Sequence, residues 1–179
     1  DLVLLTVGEG SHTALVQTQN RFCAAPVQVA KSHHQSTQPR AFLINAGNAN
    51  AGTGQTGLDN AHQCCELVAI ELGLSAEQVL PFSTGVIGQH LPMERFIESV
   101  PTLKSRLHAD GWVAAAKAIM TTDTVAKGVF LQVSIDNELG VMPMTAVDEI
   151  KLKAPDALFN GDALFDLFKS CVPDIALAD

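Results

Sequence analysis

The chain has no tyrosine and a single tryptophan, Trp112, among its 179 residues, and aromatic residues make up 5%. Stacking platforms built from large aromatic side chains are thereby excluded. Basic charge is also scarce: 11 Lys and Arg stand against 19 Asp and Glu, for a net charge of -8. A nucleic-acid backbone needs a basic face, so nucleic acid is not an expected partner. No apolar run approaches the ~20 residues of a membrane-spanning helix. The four cysteines, Cys23, Cys64, Cys65 and Cys171, form no CxxC. The adjacent Cys64 and Cys65 are poorly placed for one disulfide or for zinc, which points to a reduced, cytoplasmic chain. No HExxH or other regular metal spacing occurs, and no GK[ST] marks a P-loop. The opening DLVLLTVGEG lacks a basic region, a cleavage site and a Met, and reads as neither a signal peptide nor a natural start.

What is present is enough apolar material for a core: 47% of residues are hydrophobic. Leu2–Val7 reads as a buried strand. Thr13–Thr18 and the alternating Pro26–Ala30 read as two more, with Lys31–Arg40 as a polar loop or a solvated helix end. Ala41–Asn45 is a further short strand. Leu58–Leu72 is a helix, because Leu58, Ala61, Cys65, Val68 and Leu72 share one face. Gly73 supplies its stop. Val79–Phe82 is a strand, and Ser83–Gly88 a turn after it. Pro92 opens a helix whose apolar face is Met93, Phe96, Ile97, Val100 and Leu103, with Pro101 a candidate break. Another helix covers about Gly111–Met120. Val129–Ile135 reads as a strand and Asp136–Gly140 as a turn. The tail from Ala146 is acidic, with an apolar face at Leu164, Phe165, Phe168 and Val172. Alternating strands and helices argue for a layered α/β architecture.

Three segments carry candidate chemistry. Asn45–Gly57 packs four glycines and three asparagines into thirteen residues. Its Gly52-Thr-Gly54-Gln-Thr-Gly57 matches G-x-G-x-x-G, with Glu71 about 20 residues on, as a dinucleotide site requires. Gly52 stands seven positions after Asn45, however, where dinucleotide folds place the glycines directly after the strand. The bland alternative is a tight structural loop. Ser83-Thr84-Gly85, at a strand end, can aim N–H groups and a hydroxyl at one point, as an oxyanion hole requires. The alternative is an ordinary polar turn. Thr121-Thr122-Asp123-Thr124 offers polar groups for a carboxylate or amine, or merely terminates a helix. Asp123 is a candidate base without an assigned partner. The histidines, His33 and His34 among them, form no recognisable site.

Taken in order, four segments resemble one family: Thr18-Gln-Asn-Arg-Phe-Cys-Ala-Ala-Pro-Val27, Asn45-Ala-Gly-Asn-Ala-Asn-Ala-Gly-Thr-Gly54, Ser83-Thr-Gly-Val-Ile-Gly88 and Ala118-Ile-Met-Thr-Thr-Asp-Thr124, with Gly111-Trp112 just before the last. They are similar to the N-terminal part, the α chain, of bifunctional ornithine acetyltransferase (glutamate N-acetyltransferase) of arginine biosynthesis. The resemblance implies a layered α/β fold with N-terminal-nucleophile logic. It implies a precursor that cleaves itself before a Thr, and an α/β hetero-oligomer. The new N-terminal Thr of the β chain attacks the acetyl group of N-acetylornithine, and glutamate receives it. Acetyl-CoA is a second candidate donor, and no bound cofactor or metal is implied.

By the same resemblance Thr84 and Gly85 supply the oxyanion hole, and Thr121, with Thr122 beside it, binds substrate. The Asn- and Gly-rich segment then becomes a packing loop near the site. At the cleavage point the family carries Lys-Gly-X-Gly-Met-Ile-X-Pro-Asn-Met-Ala-Thr. Here the comparable stretch is Gly140-Val-Met-Pro-Met-Thr-Ala146, without the Lys-Gly or the Asn. Thr145 is therefore only a degenerate candidate nucleophile, and the nucleophile is expected on the partner β chain. The expected organisation is an acetyltransferase segment over 1–136 and an unrecognised tail over 137–179. Two alternatives stay open: a non-catalytic or truncated relative acting as a binding or oligomerisation module, and a nucleotide-binding α/β domain.

Overall fold

A computed structural model describes residues 1–128 and 175–178. Its centre is a five-stranded mixed sheet. In chain order the elements are β1 (Leu2–Val7), α1 (Ala25–Ser36), β2 (Ala41–Asn48), α2 (Gly54–Leu72), β3 (Val79–Val86), α3 (Met93–Ser105), β4 (Leu107–His108), α4 (Trp112–Ala118) and β5 (Ile175–Ala178). The strand order is β3-β2-β1-β5-β4. Among the described strands only β2 and β3 run parallel, joined through α2, whereas β1 pairs antiparallel with β2 and β5. The layered α/β class read from the sequence is therefore the class observed.

Strand periodicity divides the core in two. Leu4, Leu43 and Val79 point to one face, where α2 and α3 cover them through Ala61, Cys65, Val68, Phe96, Val100 and Leu103. Val3, Leu5, Phe42 and Leu80 point to the other face, which α4 covers through Ala115. Helix α1 contributes Val29 to the first cluster and Ala30 to the second, which sets it beside the β3 edge. His33 of α1 seals that edge, its Nδ1 donating to the Val79 carbonyl at 2.8 Å. A bare strand edge invites foreign pairing, so this cover matters.

Several segments differ from the sequence reading. Pro26–Ala30 is not a strand: it lies inside α1. The buried set Ala25, Pro26, Val29, Ala30 and His33 has helical spacing, and Pro26 sits in the first turn where its missing N–H costs nothing. Burial of that stripe outweighs the valines' strand preference. Thr13–Thr18 is irregular rather than extended. It is tied to α1 through His34 Nε2, 2.8 Å from the Thr13 carbonyl, and Gln17 Nε2, which donates to the Val27 carbonyl, while Leu15 packs against the second core cluster. Pro101 does not break α3, which continues to Ser105. Helix α2 ends as expected, with Gly73 left-handed at φ 69. Val129–Ile135, Asp136–Gly140 and the Leu164–Val172 face lie outside the described residues.

Cys64 and Cys65 face the core from α2 and are buried. Burial pushes the Cys64 thiol up to about 12 and raises Cys65 as well. At pH 8 the Cys64 thiolate fraction is then on the order of one in ten thousand, and only the thiolate is nucleophilic. Alkylation of the folded protein at pH 8, read by peptide mass spectrometry, is expected to spare both residues until denaturant is added. Labelling of Cys64 at the rate of a free thiol would contradict its placement.

Candidate functional site

The parallel pair β2–β3 runs further than the sequence suggests. Ser83–Gly88 is not a turn after the strand, because β3 continues to Val86 and β2 continues to Asn48. Their register sets Asn45 opposite Ser83, Ala46 opposite Thr84, Gly47 opposite Gly85 and Asn48 opposite Val86. Each strand supplies the ladder partner that the other's end would lack, so both extend together.

Gly85 explains itself in this setting. Its φ is 123, in the region that glycine tolerates and other residues rarely adopt. A Cβ built there would lie 2.7 Å from the Gly47 carbonyl oxygen and 2.8 Å from the Asn48 nitrogen. Both obstacles are backbone and neither can swing away.

Strand alternation then sorts the neighbours. Ser83 shares a face with Val79 and Pro81, toward α2. A cavity of about 10 Å³ behind it, lined by Asn45, Asn50, Cys64 and Phe96, has room for no more than about one water. Thr84 shares the opposite face with Leu80 and Phe82, the face that α4 covers through Ala115, Ala118 and Ile119. Thr121 and Thr122 follow Ile119 and are exposed. Helix α4, which the Thr121–Thr122 segment follows in the chain, thus covers the face on which Thr84 lies. Helix α1 covers only the start of the β3 edge, and every residue from Thr84 to His90 is exposed.

Behind this bare end stands a ladder of asparagines. Asn45 Nδ2 donates to the Asn48 carbonyl at 2.7 Å. Asn48 Nδ2 donates to the Gln89 and His90 carbonyls at 3.2 and 3.1 Å. Its Oδ1 accepts from the Asn50 N–H at 2.8 Å. Asn50 is 0% exposed and left-handed, φ 47. Its Nδ2 donates to the Gly57 carbonyl at 2.9 Å, and its Oδ1 accepts from the Thr53 hydroxyl at 2.8 Å. Gly57 fits a packing role, since a Cβ there would press on Thr53 and lie 2.7 Å from Asn50 Oδ1. Gly57, in the first turn of α2, is therefore packed by the side chains of Asn50 and Thr53, and Gly52 approaches Phe22, while a Cβ at Gly54 would meet nothing within 4 Å. The sequence marked this stretch for its small residues and missed the asparagine side chains as its scaffold.

Asp123 has a partner that the sequence left unassigned. Lys127 Nζ lies 2.6 Å from its Oδ1. The hydrogen bond from Lys127 holds the Asp123 carboxyl below its usual range, with the lysine charge acting in the same direction. A carboxylate stabilised in this way is a poor general base at neutral pH. Cys64 and Cys65, buried and protonated, are not nucleophiles. Thr145 lies outside the described residues. Among those described, no group of three His, Cys, Asp or Glu could hold a metal ion, and no helix is long and apolar enough to cross a membrane.

Comparison with known proteins agrees with the ordered motifs. A family model described as the ArgJ family matches residues 1–146. The arginine biosynthesis bifunctional protein ArgJ of Methylococcus capsulatus is 50% identical over 135 residues, 75% of this chain and 33% of that relative. The chain thus spans about a third of that curated relative's length. Among solved structures, ornithine acetyltransferase complexed with ornithine from Mycobacterium tuberculosis is 36% identical, with a TM-score of 0.65 over 69% of each chain. The ArgJ bifunctional protein of Bacillus halodurans is 33% identical, with a TM-score of 0.61 over 68% of this chain and 65% of that one.

Proposed function

This chain belongs to the ArgJ family, and from that premise we propose that it is the α-chain part of an acetyltransferase that moves acetyl from N-acetylornithine to glutamate. Acetyl-CoA is a second candidate donor. The acetyltransferase segment is assigned to 1–136, and 137–179 to a tail of separate character. The observation that carries the reading is the exposed Thr84-Gly85 end of β3, locked against Gly47 and open on the Thr84 face.

The chemistry follows from what such an end can do. A Thr hydroxyl is a weak nucleophile, and the free α-amino group of an N-terminal Thr can take its proton. In the proposed reaction that Thr, on a partner β chain, attacks the acetyl carbonyl carbon. The carbonyl π electrons move to oxygen. The Thr84 hydroxyl and the Gly85 N–H, aimed at that oxygen, stabilise the developing charge. The C–N bond then breaks, the departing ornithine nitrogen takes the proton, and an acetyl ester remains on the Thr. The α-amine of glutamate attacks the ester, the same two donors serve the second oxyanion, and the Thr hydroxyl is regenerated. Thr121 and Thr122, just after the helix that covers the Thr84 face, fit the role of orienting the amino-acid part of the substrate.

A partner at the edge is supported by exposed apolar residues beside the donors. Val86 is 51% and Ile87 66% exposed. Water-exposed valine and isoleucine next to a reaction centre fit a surface meant to be covered.

Mass spectrometry of the purified protein tests the proposal. A second chain that begins with Thr is expected to co-purify, and the preparation is expected to transfer acetyl from N-acetylornithine to glutamate. The 179 residues alone are expected to show no turnover. An active preparation without a Thr-initiated chain would overturn the two-chain reading.

A further inference from the structure

Glycine at position 85 meets the demand for close approach to Gly47, but it brings a problem. Glycine has no side chain to hold its own peptide planes, so the direction of the Gly85 N–H must be fixed from outside. On the N-terminal side the β2–β3 ladder fixes it. On the C-terminal side the strand ends at Val86, and Ile87 to His90 are exposed.

What anchors that side is Asn48. Its backbone stands opposite Val86. Its Nδ2 donates to both the Gln89 and His90 carbonyls, at 3.2 and 3.1 Å. Its own carbonyl and Oδ1 are engaged by Asn45 and by the Asn50 N–H, at 2.7 and 2.8 Å. Two backbone bonds flank the clasp, Ala49 N–H to Val86 O at 2.8 Å and Gly88 N–H to Ala51 O at 2.7 Å. Asn48 is thus the side chain that ties the exit of the Thr84-Gly85 segment to the rigid end of β2. The side chain is only partly buried, so stability of the core gives it little reason to make three hydrogen bonds.

We propose that Asn48 is a positioning residue for acetyl transfer, clasping Gln89 and His90 so that the Gly85 N–H stays aimed at the oxyanion. The inference rests on the reading of Thr84 and Gly85 as the oxyanion donors. Asn48 touches no reacting atom. It acts through the direction of the chain that leaves Gly85. An aimed donor is worth its factor only in the transition state, so its loss lowers kcat and leaves ground-state binding alone.

Steady-state acetyl transfer by Asn48→Ala in the intact protein, with turnover counted per acetylatable Thr from the burst amplitude, is the test. The expected result is a kcat lower by roughly tenfold or more, with KM for N-acetylornithine within about twofold. Burst counting removes misfolded protein from the comparison. Should Asn48→Ala fail to fold, Asn48→Asp keeps the acceptor for Asn50, loses both donations, and carries the same expectation.

Thr84→Ala, and Asn48→Ala combined with Gly85→Ala, separate this inference from the reading beneath it. If Asn48 acts through the Gly85 N–H, Asn48→Ala costs at most about threefold more in a Gly85→Ala background, where that N–H is already displaced, because residues that act as a unit are not additive. An equal factor in both backgrounds would overturn the positioning role. So would wild-type kcat for Asn48→Ala beside a Thr84→Ala variant that has lost turnover. In both cases the oxyanion reading survives. A Thr84→Ala variant with wild-type kcat sinks that reading, and the Asn48 role with it.

Discussion

Replacing Gly85 with alanine is expected to lower acetyl transfer by at least roughly a hundredfold, the scale of losing one oxyanion donor. The same variant is expected to destabilise the fold by about 3 kcal/mol. Two causes add. At φ 123 an L-residue is strained before any contact is considered. The new methyl would then meet the Gly47 carbonyl, with the Asn48 nitrogen at 2.8 Å. Relief requires β2 and β3 to part at the register that aligns Gly47 with Gly85. That movement swings the Gly85 N–H away from its target. Activity and thermal midpoint should therefore fall together, unlike in Asn48→Ala, where kcat falls first. Gly85→Ala with wild-type turnover would show that the Gly85 N–H takes no part.

Asn50→Ala is expected to be the most damaging change to stability, at about 3–5 kcal/mol. The side chain is fully buried, and its amide satisfies the Gly57 carbonyl and the Thr53 hydroxyl. Removing it takes a donor from the buried Gly57 carbonyl and the acceptor from the part-buried Thr53 hydroxyl, and a buried group left unpaired costs about 1–3 kcal/mol. Alanine also tolerates the left-handed backbone at φ 47 less well than asparagine does. In a chain of this size the midpoint should fall by roughly 10 °C. Asn50→Asp retains the acceptor for Thr53 and the backbone tolerance, so it should fall less if the left-handed backbone dominates. Differential scanning calorimetry of the two variants separates the causes. An Asn50→Ala midpoint within about 2 °C of wild type would mean that the loop is not held as described.

Much of the architecture was legible in one dimension. The helix over α2 announced itself by Ala61, Cys65 and Val68 on one face, and its end by Gly73. Ser75 and Gln78, spaced as a capping box, close the turn before β3. These signals are local: spacing and glycine conformation suffice. Helix α1 misled because Val27 and Val29 alternate as in a strand, while the stripe that decides the matter includes a histidine. His33 counts as core only because the Val79 carbonyl receives its proton at the sheet edge. No local pattern reports a partner 46 positions away.

The site divides along the same line. Thr84 and Gly85 stood out in the sequence because a strand leading to Ser-Thr-Gly is a recognisable place to present donors, and the ordered motifs carried the family. Sequence alone determined the residue types and the family to which they belong. Tertiary structure alone decided why they sit as they do. The parallel register brings Gly47 against Gly85, which makes glycine obligatory there. It leaves the end of β3 bare and sets Thr84 on the face that α4 covers. It also turns three asparagines, which the chain displays merely as polar loop residues, into the frame that holds that end in place. Hydrogen-bond partners and faces are properties of strands brought side by side, and those are set by burial across the whole sheet.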